Sequence, residues 1–356
     1  KDNKKKYPAF LPDNKNMGFL TCLFSSVPAK YQWLAKLIGF EGEMSEGLSE
    51  MELYLKSDLN SKEHKWLKCD AAFMYAMVQH HLNKSQDIAW KTIEPYTRDY
   101  KQIVLENYMR ATVANYSGRN EDMYQILSAK PPYAGTTPFY YLDYLLGISK
   151  LRRLDKDAET NFKIFTVMYK GKNYLKSAYR YLSWAYQLKG DNKTALTYYA
   201  LCCKNGVAVI EEDKAAEKEA QEALPWPVDL LKARVQYDGH YLDNALHILS
   251  DVNESALSHK KFKLELNYRK AKIYHDKDNL SSALTQYLKV IEDGKKETYY
   301  YAAYSALQAA MIYEKQGKKD LAKKYFNMAK NDFPNNKEYV SSIEQKAKAG
   351  LKRLNK

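Results

Sequence analysis

The sequence predicts an all-α fold assembled from antiparallel helical hairpins, and three observations lead to this prediction. Glycine and proline are scarce, with 14 and 10 residues among 356, whereas an all-β chain needs both for its many tight turns. Apolar residues recur at helical spacing along most of the chain. In the second half, small residues recur at two fixed points of a repeated unit, as stacked helix pairs require.

The repeat is centred on four alanines, Ala195, Ala245, Ala283 and Ala322. Twelve residues before each alanine stands a small residue, in the order Ser183, Ala233, Ala271 and Ala310. Four residues after each alanine stands a large apolar or aromatic residue, in the order Tyr199, Leu249, Tyr287 and Phe326. Small residues at two such points let two helices approach closely, while the large side chains fill the space around the crossing. Each unit is therefore predicted to be a hairpin of two helices.

The turn of each hairpin is predicted five residues before the alanine. Those positions are Gly190, His240, Asp278 and Gly317. Glycine and aspartate are common where a helix ends and the chain reverses. An aromatic residue lies four residues before the turn in three of the units, and only the second unit breaks this column, with Gln236.

The recurring small, turn and aromatic positions form columns when the units are aligned. These columns resemble those of the tetratricopeptide repeat (TPR) family, most clearly over residues 176–334. The best match is 303–334, where small and aromatic positions are followed by Pro334. The resemblance implies a right-handed superhelical array of antiparallel hairpins, with a concave groove that binds proteins or peptides. The alanines are 50, 38 and 39 residues apart, against the family's period of about 34. An irregular superhelix is therefore expected.

The rest of the chain is divided by composition and by its strongest breaker, the Pro-rich segment 131–135. A further hairpin is predicted at 139–169, and 13–130 still has helical spacing although the columns are degenerate there. The predicted regions are a basic N-terminal tail at 1–12, a degenerate TPR-like hairpin region at 13–130, TPR-like repeats at 137–335 with an exposed acidic helical extension at 207–224, and a basic helix or tail at 336–356.

The net charge of +13 lies mainly at the two ends. Residues 1–6 contribute +3 and residues 345–356 contribute +5. A nucleic-acid binder usually gathers its cations on one folded face, so solvated basic ends are favoured and no specific nucleic-acid partner is predicted.

Hydropathy and the first residue bear on location. No apolar run approaches the roughly 18 residues that span a bilayer, so no transmembrane segment is predicted. The sequence begins at Lys1 without methionine. A leader removed before it would allow export and membrane attachment, so an exported location is slightly favoured over a cytoplasmic one.

The sequence contains none of the usual catalytic signatures. Phosphate-binding glycine loops, the H-E-x-x-H zinc motif and the G-x-S-x-G nucleophile motif are all missing. The four cysteines form no C-x-x-C pair, and adjacent His80 and His81 cannot share a helix face. No catalytic residue, metal or cofactor is predicted, and the protein is expected not to be an enzyme. A site assembled across distant helices stays open.

The candidate functional surface is the groove that the TPR resemblance implies. Counting along the first helix of each unit gives the candidate partner-binding residues Arg180, Trp184, Gln187, Arg234, Tyr237, Tyr268, Lys272, His275, Tyr304 and Met311. Their aromatic and cationic character suits an extended acidic peptide. The predicted function is a non-enzymatic scaffold or adaptor for a protein or peptide partner. The alternative is a carbohydrate or small-ligand binding protein that uses the aromatic groove residues.

Overall fold

The structure is a computed structural model that describes residues 6–7, 10–27, 37, 42–59, 61–133, 135 and 137–355. Throughout those residues the regular structure is helical, without a strand. The chain forms two compact units, residues 1–171 and residues 172–356. In each unit, most consecutive helices pack against one another. The predicted all-α array of helical hairpins is confirmed.

Unit 1 contains eight helices among its described residues: α1 Pro12–Ser25, α2 Met44–Leu55, α3 Lys62–His81, α4 Gln86–Ile93, α5 Val104–Tyr116, α6 Asn120–Ser128, α7 Tyr141–Arg153 and α8 Ala158–Met168. The close crossing of α1 and α2 depends on Gly18 and Gly47. A Cβ atom on Gly18 would lie 2.5 Å from the carbonyl oxygen of Gly47. The predicted N-terminal tail, 1–12, lies largely outside the described residues.

Unit 2 contains ten helices among its described residues: α9 Leu175–Leu188, α10 Asn192–Lys204, α11 Glu211–Glu222, α12 Val228–Asp238, α13 Leu242–Asp251, α14 Lys260–Asp276, α15 Leu280–Gly294, α16 Tyr301–Lys315, α17 Lys319–Asn331 and α18 Val340–Leu354. Four hairpins follow the predicted columns: α9–α10, α12–α13, α14–α15 and α16–α17. All eight small residues of the columns are buried, with at most 2% of their surface exposed.

The first helices of these hairpins form one layer of unit 2. Helix α12 contacts α9 and α14, and α16 contacts α14 and α18. The last helix, α18, buries Ile343 and Ala347 in the same core as Phe326 of α17. The basic C-terminal segment is therefore a packed helix over most of its length.

The domain boundary differs from the one expected at 131–135. That segment is non-helical where it is described, yet α6 and α7, which flank it, pack together. The side-chain amide of Asn120 donates a 3.0 Å hydrogen bond to the carbonyl oxygen of Ser149. The hairpin α7–α8, grouped by sequence with the repeats at 137–335, therefore belongs to unit 1.

Candidate functional site

A polar cavity lies on the first-helix layer of unit 2, between α9, α11, α12, α14 and α16. Its volume is about 90 Å³. A larger open groove of about 440 Å³ adjoins it and shares Lys218 and Glu222 with it. We call the smaller space the ion-pair cavity and the larger one the side groove. The side groove is further lined by Leu224, His259, Thr298, Tyr299 and Lys337.

Helix α11 positions the central carboxylate of the cavity. Sequence analysis predicts an exposed extension here, but one face of the helix is buried, including Asp213, Ala216 and Glu219. The helix is anchored at its start because the Asp213 carboxylate accepts hydrogen bonds from the backbone N–H groups of Tyr174, at 2.6 Å, and Ser177, at 2.9 Å. These groups lie at the start of α9, where a helix has unpaired N–H donors. The extension predicted to be exposed is therefore exposed on one face and buried on the other.

Glu219 lies at the base of the cavity with only 8% of its surface exposed. Its Oε1 atom accepts three hydrogen bonds, which come from Trp184 Nε1 at 2.5 Å, Tyr199 OH at 2.9 Å and Trp226 Nε1 at 2.9 Å. Burial alone would raise the pKa of Glu219. The guanidinium groups of Arg234 and Arg180 and the indole donors outweigh burial, so its pKa lies below the ordinary value.

Arg234 of α12 lies against two indole rings whose planes are inclined at 70° to each other. Its guanidinium carbon lies 4.4 Å from the ring centroid of Trp184 and 4.6 Å from that of Trp226, within the range of a cation–π interaction. Its Nη1 atom is 3.5 Å from Glu219 Oε2. The guanidinium therefore contacts both rings, and 21% of the side chain stays exposed.

A second buried ion pair lies on α14. Glu265 is 2% exposed, and its Oε1 atom accepts a 2.9 Å hydrogen bond from Arg269 Nε. Burial opposes ionisation of Glu265, but Arg269, Arg234 and the Tyr301 hydroxyl together hold its pKa below the ordinary value. Asp238 lies 3.6 Å from Arg269 Nη1. Glu219 and Glu265, the two carboxylates at the base of the cavity, are therefore both ionised at neutral pH and hydrogen-bonded.

The mouth of the cavity carries two ion pairs and an exposed ring. Lys218 of α11 pairs with Glu338, and Lys261 of α14 pairs with Glu222. Glu338 is positioned by the backbone N–H of Tyr300, which donates a 3.0 Å hydrogen bond to Oε2. The next residue, Tyr339, has 51% of its surface exposed, and its ring centroid is 5.2 Å from that of Tyr300.

The sequence-predicted candidates divide into three groups. Arg180 and Arg234 line the ion-pair cavity. Trp184, Gln187 and Tyr268 are buried, with 1–3% of their surface exposed. Trp184 and Gln187 support the cavity from below. Trp184 donates to Glu219, and the Gln187 side chain accepts a 2.7 Å hydrogen bond from the backbone N–H of Trp226.

The remaining candidates lie farther along the layer. Lys272 lies 5.1 Å from the ring centroid of Tyr237, whose hydroxyl donates a 2.6 Å hydrogen bond to Asp276. His275 contacts Tyr287. Tyr304 packs against Tyr268, and Met311 is 42% exposed on α16. The structure does not bring these five residues into the cavity.

Sequence analysis missed most of the lining. The missed residues are Ala215, Lys218, Glu219, Glu222, Trp226, Lys261, Glu265, Tyr300, Tyr301, Glu338 and Tyr339. A signal existed for two of them, because Lys261 and Glu265 share a helix face with Tyr268 and Lys272 at spacings of three, four and seven. Helix α11 and the segment before α18 lie outside the repeat columns, so counting along the repeats could not reach them.

Comparison with known proteins does not narrow the function. The sequence matches no protein-family model and no curated protein. In the part of the chain that the structure describes, no three His, Cys, Asp or Glu side chains are grouped as metal ligands. None of the helices described is long and apolar enough to cross a membrane.

Proposed function

We propose that this protein is a non-enzymatic, divergent TPR scaffold or adaptor that binds a protein or peptide partner on the first-helix layer of unit 2. The observation that carries the proposal is the pair of adjoining spaces, the ion-pair cavity and the side groove. Together they offer a small polar cavity beside a larger open groove. A peptide that places one side chain in the ion-pair cavity and its backbone along the side groove fits this arrangement.

The chemistry of the lining supports recognition. Aromatic rings and arginines contribute most of the binding energy in protein interfaces, and Tyr339, Tyr300 and Arg234 supply both kinds here. A general acid in an enzyme usually has a raised pKa. Glu219 and Glu265 have lowered pKa values instead, which favours a role in holding the cavity together.

The experiment is selection from a messenger-RNA-displayed library of random short peptides against the full chain. We expect peptides whose binding to purified protein is weakened about tenfold or more by the double substitution Tyr339→Ala and Tyr299→Ala, as for hot-spot aromatics. The matched control removes two exposed apolar side chains from the second helices, Leu196→Ala and Leu321→Ala. Selected peptides that bind both variants equally, or a selection that gives none, would contradict the proposal.

Carbohydrate binding is the second candidate, and the half-exposed ring of Tyr339 at the mouth favours it. Tyrosine rings can cover the apolar face of a sugar while the charged pairs around them accept and donate hydrogen bonds. A glycan array separates the two functions. Glycan hits lost on Tyr339→Ala, with no peptide selected, would favour the carbohydrate.

A further inference from the structure

We infer that the lysine-rich end of unit 2, built on α17 and α18, docks on the surface of an anionic phospholipid membrane. We call residues 315–355 the basic end. The inference goes beyond the proposed peptide binding and is independent of it. Of the lysines that carry it, only Lys337 lines the ion-pair cavity or the side groove.

The positive charge of unit 2 is concentrated in the basic end. Residues 172–314 contain 20 Lys or Arg and 19 Asp or Glu, a net charge of +1. Residues 315–355 contain 11 Lys or Arg and four Asp or Glu, a net charge of +7. Clustered charge of one sign gives a local potential that attracts partners of the opposite sign. The basic end therefore fits an anionic partner.

Most cations of the basic end are not neutralised by the fold. Three of them form ion pairs, which are Lys315–Asp278, Lys348–Glu344 and Arg353–Glu314. Among the described residues, the other eight have no carboxylate oxygen within 4 Å, and they are Lys318, Lys319, Lys323, Lys324, Lys330, Lys337, Lys346 and Lys352. Seven of these eight are exposed, and Lys323 is half-buried. In the described part of the chain, only Asp320 and Asp332 remain there as acidic residues outside ion pairs.

Packing of the two helices holds these lysines on a folded surface. Phe326 of α17 lies in one core with Ile343 and Ala347 of α18. Along α17, three of the lysines recur at spacings of four and seven and so lie on one stripe of the helix, namely Lys319, Lys323 and Lys330. The C-terminal charge, interpreted from the sequence as a solvated end, is therefore part of a structured surface.

The type of cation favours a lipid surface. All eight unpaired cations are lysines, which act as hydrated point charges rather than as planar forks. The single arginine, Arg353, is already engaged, because its Nε and Nη2 atoms donate to the two carboxylate oxygens of Glu314 at 2.8 and 2.7 Å. Several lysines on one face are attracted to the diffuse negative charge of anionic lipids without specific contacts.

The aromatic residues of the basic end do not favour a nucleic acid. Proteins that bind single strands combine a basic groove with a row of exposed rings on which bases stack. In the basic end Phe326 is buried, Tyr325 and Phe333 are half-buried, and only Tyr339 is exposed. One ring cannot stack a run of bases. Duplex DNA could still bind through its phosphates, so it enters the test as a competitor.

The test is sedimentation of the full chain with two kinds of vesicle, one of phosphatidylcholine alone and one of phosphatidylcholine and phosphatidylserine in equal amounts. We expect binding to the anionic vesicles only. Raising the salt from about 0.1 M to about 1 M shortens the Debye length from about 10 Å to about 3 Å and should release the protein.

A charge variant locates the contact. It replaces four exposed lysines of the basic end, with the substitutions Lys319→Gln, Lys324→Gln, Lys330→Gln and Lys352→Gln. Each lysine close to an anionic surface strengthens binding up to about fivefold, so the variant should bind the anionic vesicles at least about tenfold more weakly. Glutamine has nearly the helix propensity of lysine, and circular dichroism checks that the helices are kept.

The matched control removes the same charge from exposed positions elsewhere in unit 2. Its substitutions are Lys172→Gln, Lys193→Gln, Lys204→Gln and Lys260→Gln. We expect it to bind anionic vesicles within about twofold of the wild type, because its lysines lie outside the basic end. Equal weakening by the two variants would mean that total charge alone is responsible, and the inference would be wrong.

Two further outcomes would overturn the inference. One is no binding to anionic vesicles at about 0.1 M salt, or equal binding to both kinds of vesicle. The other is tighter binding to a random-sequence DNA duplex than to the vesicles at the same salt. If the charge variant does not fold, the dependence on lipid and salt and the DNA comparison decide the result. Peptide selection on the wild-type chain is a separate measurement, so failure of the inference leaves the proposed function standing.

Discussion

At the scale of single residues, Glu219 is the group that joins the parts of the candidate site. Its carboxylate receives donors from α9, α10 and the segment before α12, and it lies beside Arg234 of α12. A buried charge is costly unless it is paired and hydrogen-bonded. Of its donors, Trp226 lines the cavity and Trp184 contacts the lining residue Arg234, so the stability of unit 2 and the geometry of the cavity depend on the same bonds.

Glu219→Gln should destabilise unit 2 by about 3 kcal/mol, because a neutral amide leaves Arg234 and Arg180 without their shared buried counter-charge. The measurement is urea unfolding at neutral pH followed by circular dichroism. The control is Glu212→Gln, an exposed position on the same helix, which should change stability by about 0.5 kcal/mol or less. Equal effects of the two substitutions would show that Glu219 does not hold the site together.

The same pair of proteins gives a prediction for pH. The pKa of Glu219 is lower in the folded chain than its ordinary value, which is about 4.3 in an unfolded chain. Ionised Glu219 therefore contributes its full stabilisation above that pH and loses it as the pH falls through the folded-state pKa. The difference in unfolding free energy between wild type and Glu219→Gln should be constant from pH 7 to about 5 and should shrink at more acidic pH. A difference that grows on acidification would contradict the assignment.

The sequence could predict the residues that repeat but not the ones that complete the cavity. Ser183, Ala271 and their equivalents were found because helix crossings demand small side chains at fixed spacing. Arg180 and Arg234 were found because they lie on the first helices. Glu219 and Glu338 occur in segments with no counterpart in the other units, and their partners are 35 and 120 residues away in sequence. Periodicity carries no information about such pairs.

At the scale of elements, the four hairpins of unit 2 share one turn geometry. The predicted turn residues Gly190, His240, Asp278 and Gly317 all have a positive φ, between 56° and 80°. In each turn the N–H of the next residue donates a hydrogen bond of 2.8–2.9 Å to the carbonyl of the residue four before the turn. This is the left-handed helix end that glycine adopts most easily. His240 and Asp278 adopt it at a steric cost, so the hairpin geometry is set by packing as well as by turn residues.

Helix α18 gives the element-scale prediction, because it offers the same substitution at a buried and an exposed alanine. Ala347 is fully buried, and Ala349 is exposed. Ala347→Leu should destabilise unit 2 by about 1–3 kcal/mol, since added carbon atoms must displace a packed core. Ala349→Leu should be nearly neutral. Thermal unfolding of the two variants checks this, and equal melting temperatures would mean that α18 is a solvated basic tail.

Helix α11 illustrates why a charged segment can be misjudged from its sequence. The segment 211–222 contains six acidic residues and two lysines, which suggests a solvated helix. Yet Asp213, Ala216 and Glu219 recur every three residues and form one face, and that face packs on α9 and α10. Hydropathy does not identify this buried face because two of its residues, Asp213 and Glu219, carry carboxylates. Each carboxylate accepts hydrogen bonds from donors that come together only in the folded unit.

At the scale of the whole chain, the boundary between units cannot be placed from chain breakers. The Pro-rich segment 131–135 interrupts the helices, but a break in the backbone says nothing about which helices pack across it. Side-chain contacts cross it in unit 1, among them those that join Asn120 to Ser149, Glu121 to Arg153 and Asn115 to Arg152. Helices α6 and α7 are therefore neighbours in one array, in which each element depends on the next for burial.

Fragments of the chain test this boundary. Residues 1–171 should unfold as a cooperative helical unit, whereas residues 1–136 leave the buried face of α6 without its neighbour. We expect the shorter fragment to melt about 10 °C or more below the longer one, because a few kcal/mol of packing corresponds to a shift of that size in a domain of this length. Circular dichroism melts compare the two fragments. Asn120→Ala in the longer fragment serves as the control, since it removes the Asn120–Ser149 hydrogen bond but leaves the helices in place, and it should shift the melting temperature only part of the way. If the two fragments melt together, the hairpin α7–α8 does not belong to unit 1, and the boundary at 131–135 expected from sequence is the physical one.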